Sequence, residues 1–132
     1  EWQTLTDAAA ETLAGFAPRA EIVLLTAMPH RHRGMRRAHL DALGLSYPLL
    51  TTEMAKGPAI ARLRGAAARP VAFVDDMPHN LASAREHVPD IHLFHLMAEA
   101  SMRAMLPPAE PTVTVVDDWT QARPLIAGAL GI

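Results

Sequence analysis

The chain contains short runs in which every successive residue is apolar, and these constrain its fold more than any other feature. Residues 22–25 read Ile-Val-Leu-Leu and residues 71–74 read Val-Ala-Phe-Val. Strand side chains point alternately to the two faces of a sheet, so a run without alternation is apolar on both. Strands of that kind belong to parallel sheets covered by helices on each side. Further short strands are expected at about residues 48–50, 91–94 and 113–116.

Helical periodicity fills the intervals. Leu5, Ala9, Leu13 and Phe16 share one face of a helix over about residues 4–17, which Pro18 ends. A second helix, about 31–43, turns Met35, Ala38, Ala42 and Leu43 inward and its arginines outward, with Gly44 as C-cap. A third begins near Lys56 and buries Ile60, Leu63 and Ala67. A fourth, about 78–88, buries Leu81, Ala84 and Val88. A short helix is expected at 97–106, followed by a proline-rich connection at 107–112. The last helix, about 118–130, has Asp117 or Asp118 as its cap. The expectation is an α/β fold, a Rossmann-like three-layer sandwich with a mainly parallel central sheet. At 132 residues it forms a single domain, 1–132.

The formal net charge is −2, so no general basic field invites nucleic acid. Arg31, Arg33, Arg36 and Arg37 make a local cluster, read as a solvated helix face. The chain has no cysteine, which removes disulfide and thiol chemistry and accords with a cytoplasmic location. No apolar run approaches the roughly 20 residues of a membrane span, and no signal peptide is visible. Glycine-rich nucleotide loops and a G-x-S-x-G elbow are absent, and the histidines show no zinc-ligand spacing.

Three chemistry-bearing positions fall at strand ends, where open parallel sheets bind their ligands. The first strand ends at Thr26, whose hydroxyl, with backbone amides of the turn such as that of Ala27, suits phosphate oxygens. Lys56 opens a helix, with Gly57 and Pro58 behind it, and adds a cation to an N-terminus that already attracts anions. The 71–74 strand stops at two acids, Asp75 and Asp76. Adjacent carboxylates form a hard-oxygen donor set suited to magnesium. Helix capping competes with the metal role at Asp76, which lies beside the Pro78 helix start, and explains Asp75 poorly.

In chain order, "IVLLTAMP", "MAKGPAI" and "VAFVDDMPHN" resemble the second, third and fourth motifs of the haloacid dehalogenase-like (HAD) superfamily of phosphohydrolases, over roughly residues 3–95. The resemblance implies that Thr26 binds the transferring phosphoryl group. It implies that Lys56 stabilises the nucleophilic carboxylate and the phosphoryl charge, that Asp75 binds Mg2+ directly, and that Asp76 supports the metal or its waters. Asn80 stands close enough in sequence to add polar contacts. The implied activity is magnesium-dependent hydrolysis of a small phosphorylated substrate through an aspartyl-phosphate. No membrane or nucleic-acid partner is implied, and the short link between the 48–50 strand and Lys56 leaves no room for a cap there.

The family's first motif, DxDx[TV], which supplies the nucleophile, has no match: Asp7 lies within the first expected helix. In the family that strand lies between the threonine strand and the acid-pair strand. The expectation is that the chain begins after this strand, that an upstream continuation, another segment or another chain fills the gap, and that the chain alone is inactive. A non-catalytic HAD-like domain that binds a phosphorylated ligand or a protein is the alternative. A phosphorelay receiver uses similar residues, but its acid pair comes first in the chain, whereas here it comes last.

Overall fold

A computed structural model of the chain describes residues 2–27, 29–53, 55–66, 69–96 and 112–132. The expected helix at 97–106, most of the proline-rich connection, Ala67 and the Leu5 side chain lie outside the described residues. The chain divides into two compact units, residues 1–54 and 55–132, each with its own parallel sheet.

The first unit contains α1 (Trp2–Phe16), β1 (Leu24–Ala27), a 3-10 turn (His30–His32), α2 (Arg33–Ala42) and β2 (Leu49–Thr52). Strands β1 and β2 pair in parallel, with Leu24 opposite Leu49 and Thr26 opposite Thr51. β1 begins two residues later than residue 22, and Pro48 explains why. Proline has no N–H to contribute to a ladder, so pairing starts where the Leu24 N–H donates to the Pro48 carbonyl, at 2.8 Å. Helix α2 ends in a Schellman motif: Gly44, at φ 79°, donates to the Asp41 carbonyl and Leu45 to that of Leu40. Leu45 is buried.

Helix α2 departs from expectation. It buries no residue; Met35 is 77% exposed, and Ala38 and Ala42 are exposed as well. Two of its arginines are not simply solvated. Arg33 donates through Nε and Nη2 to the Leu49 carbonyl, while Arg37 reaches the Leu45 and Tyr47 carbonyls and Asp41. These guanidinium groups tie the helix to the segment leading into β2, so donor geometry rather than apolar periodicity sets its roll.

The second unit contains α3 (Gly57–Arg64), β3 (Ala72–Asp75), α4 (Pro78–His87), β4 (His92–Leu96), β5 (Val113–Val116) and α5 (Trp119–Leu130). The sheet order is β3-β4-β5, all parallel. Leu93, Phe94 and His95 of β4 are all buried although successive side chains face opposite ways, so both faces of the central strand are covered. Helices α4 and α5 pack on this sheet, and α3 packs on α4. Leu81, Ala84 and Val88 are buried as expected; Ile60 is buried, whereas Leu63 is 41% exposed. Asp118 caps α5, accepting from the Gln121 N–H at 2.7 Å while the Gln121 side chain accepts from the Asp117 N–H.

Among the described residues, β1 pairs on one edge only, with β2, and β3 on one edge only, with β4. Leu24, Leu25, Ala72, Phe73 and Val74 are only half-buried, unlike Leu93 and Phe94. No helix among the described residues is long and apolar enough to cross a membrane.

Gly44→Ala would force a Cβ into the left-handed region. The expected cost is about 1–2 kcal/mol, read as a lowered urea midpoint at unchanged slope. An unchanged midpoint would contradict the assigned C-cap geometry.

Candidate functional site

The carboxyl end of β3 gathers the polar groups of the second unit. Asp75 is the last residue of β3, and its side chain is 3% exposed. Lys56, 12% exposed at the side chain, is the N-cap residue of α3 and donates from Nζ to Asp75 Oδ2 at 2.7 Å. Its ammonium also stands 5.9 Å from the centre of the Phe73 ring, close enough for a cation–π contribution. Asp75 Oδ1 accepts from the Met77 backbone N–H at 2.9 Å, and Asn80 Nδ2 lies 3.4 Å from Oδ2. Three elements therefore converge on one carboxylate: the strand that carries it, the start of α3, and the first turn of α4.

This arrangement corrects the expectation about capping. The N-cap of α4 is Met77, followed by Pro78 at the first helical position. The carboxylate that satisfies a backbone N–H at this helix entry is that of Asp75, not Asp76. The local bond spans two residues, as aspartate favours at turns. Asp75 thus combines ion pairing with the turn role considered for its neighbour.

The start of α3 is held by a close approach to α4. The Gly57 N–H donates to Ser83 Oγ at 3.0 Å, and His87 Nδ1 lies 2.9 Å from the Ser83 carbonyl oxygen. A Cβ on Gly57 would collide with that carbonyl oxygen and lie 2.5 Å from Ser83 Oγ. Only glycine fits, and this contact sets where the adjacent Lys56 begins its reach to Asp75.

The two acids titrate in opposite directions. Burial resists ionisation of Asp75, but the Lys56 hydrogen bond and charge, with the Met77 N–H, outweigh it and hold the carboxyl low. Asp76 is exposed as a residue, with its carboxyl partly desolvated beside Asp75; that desolvation, followed by the hydrogen bond to Asp75 and the Asp75 charge, pushes it up. The pair therefore combines a carboxylate held firmly ionised with a neighbour whose ionisation it opposes.

Among the described residues, no group of three or more His, Asp or Glu side chains is placed to hold a metal ion. The donors at the end of β3 are two carboxylates. That set fits magnesium, which takes only one or two protein carboxylates and completes its shell with water and phosphate oxygens.

Thr26 and Ala27 close β1 in the other unit, in register with Thr51 and Thr52 of β2. Thr51 is buried, and its hydroxyl lies 2.5 Å from His30 Nδ1. Two threonines in register thus mark the carboxyl end of that sheet, with His30 bonded to one of them. The sequence alone does not single out His30, Ser83 or His95. A histidine inside the apolar run "HLFHL" was the available signal for His95.

Of the protein-family models, curated proteins and solved structures compared with the chain, none matches it.

The ion pair sets a pH-dependent expectation. Asp75 is depressed, so its contribution is present above the unfolded carboxylate value of about 3.9 and is lost as pH falls through the lower folded value. Lys56→Met leaves a buried carboxylate without its cation, at an expected cost of about 3 kcal/mol at pH 7. That cost shrinks toward pH 4, because burial alone then favours the protonated acid. Urea unfolding of both proteins at the two pH values measures it; an equal cost at both would refute the charge assignment.

Proposed function

We propose that the chain is the core of a magnesium-dependent phosphohydrolase of the HAD type, acting through an aspartyl-phosphate whose nucleophile comes from outside residues 1–132. The observation that carries this reading is the buried Lys56–Asp75 pair, with Asp76 alongside, at the carboxyl end of a parallel strand. The ion pair accounts for Asp75; the adjacent carboxylate of Asp76 adds a second oxygen donor that a divalent cation can use, and phosphoryl transfer depends on positioned positive charge.

Each residue then has a role that its chemistry allows. Asp75 supplies a firm anionic oxygen donor to the cation, and Asp76 supports the cation or its waters. Bound magnesium would screen the phosphoryl oxygens and fix their orientation. Lys56 supplies a mobile positive charge for the nucleophilic carboxylate and for charge developing on the phosphoryl oxygens. The sequence resemblance gives the phosphoryl group to the Thr26 hydroxyl and the Ala27 amide. The substrate is a small phosphate monoester, and the site of action is the cytoplasm.

One observation favours a second reading. The chain holds no DxDx[TV] motif, so a non-catalytic domain that binds a phosphorylated ligand or a protein partner is the second reading.

The two readings separate in one assay of phosphate-monoester hydrolysis. Residues 1–132 alone are expected to give no turnover. The protein carrying the nucleophile strand is expected to be active with Mg2+ and inactive with EDTA. Asp75→Asn is expected to lower its kcat/KM by a factor on the order of 10² or more, within the range of losing one transition-state charge contact. Activity that survives EDTA or Asp75→Asn overturns the metal assignment. Inactivity of every form, with retained phosphate-ester binding, selects the non-catalytic reading.

A further inference from the structure

β4 carries a histidine where a parallel strand buried on both faces calls for an apolar side chain. His95 is 2% exposed, and its Nε2 lies 3.0 Å from the Asp76 carbonyl oxygen. A carbonyl only accepts, so Nε2 carries the proton and donates. Parallel pairing sets His95 directly opposite Asp75, and its ring reaches one residue past that partner to the loop that follows β3. An imidazole is costly to bury, and leucine would fill the same strand without that cost.

The bond gains meaning from what lies at the other end of the same peptide group. The Asp76 carbonyl and the Met77 N–H belong to one peptide unit. His95 holds its oxygen, and Asp75 Oδ1 holds its N–H at 2.9 Å. The plane is clamped from both ends, by groups on two adjacent strands, and rotating it would break both bonds. The clamp also acts in reverse: a fixed Met77 N–H fixes the turn of the Asp75 carboxylate that receives it. The other carboxylate oxygen then faces Lys56 and Asn80.

We propose that His95 is a positioning residue for the acid pair, clamping the Asp76–Met77 peptide so that Asp75 and Asp76 keep the geometry in which they bind a divalent cation. The cation half of this rests on the magnesium reading given above; the peptide clamp does not. Groups that hold metal-binding carboxylates in place typically change affinity by about 10–100-fold when removed.

The test uses the full 132-residue chain with two readouts: amide hydrogen exchange at Met77, referenced to Phe94 in β4, and calorimetric titration with MgCl2. In His95→Leu, Met77 exchange is expected to accelerate about tenfold relative to Phe94, and the Mg2+ Kd to rise about tenfold. His95→Gln places an amide N–H where Nε2 stood and is expected to restore both to within about threefold of wild type. His95→Asn, whose amide falls short, serves as a second loss variant should the leucine protein not fold. Unchanged Met77 exchange in the loss variants, or equal behaviour of Gln and the loss variants, overturns the positioning role. If wild type binds no Mg2+ while Met77 exchange follows the expected pattern, the clamp stands and the cation half of the proposal falls.

Discussion

The second unit is organised around a single buried carboxylate. Asp75 ends a strand that is otherwise apolar, so its charge must be matched where it stands. The match is complete: a lysine from α3, a backbone N–H at the entry of α4, and an asparagine one turn into α4. Each partner belongs to a different point of the chain, so the carboxylate joins the sheet to two helices. A buried ion pair of this kind adds little net stability compared with apolar packing. Its effect is on arrangement, because breaking any one contact leaves a charge or a donor stranded.

The same cluster has an electrostatic asymmetry that a structural salt bridge does not require. One lysine stands beside two carboxylates, and the second, exposed carboxyl is pushed up by partial desolvation and by the first. With both acids ionised, the end of β3 is net negative.

Much of this was legible in the sequence because the decisive signals are local. The apolar run ending in Asp75 located β3, the Val113–Val116 run located β5, and Asp118 announced the start of α5. What escaped depends on partners distant in sequence. The roll of α2 follows from Arg33 and Arg37 finding carbonyls near β2, which no periodicity encodes. The onset of β1 was set by Pro48 on the opposite strand. Gly57 reads as an ordinary helix-start glycine until Ser83 is brought against it, and His95 as one scattered histidine until the β3–β4 register sets it opposite Asp75. At the end of β3, Lys56 and the acid pair are visible in the sequence, whereas the Met77 N–H bonding to Asp75 rather than Asp76 depends on the turn the chain takes.

Half-buried apolar strands with one paired edge carry a consequence for how the protein behaves in bulk. Among the described residues, β3 has an unpaired, uncharged edge stretch from Ala72 to Val74, and β1 another at Leu24 and Leu25. An edge of this kind can template β-pairing with a further strand. Of the two acids that close β3, only Asp76 is exposed, so it alone can set a like charge against another copy stacking along this edge.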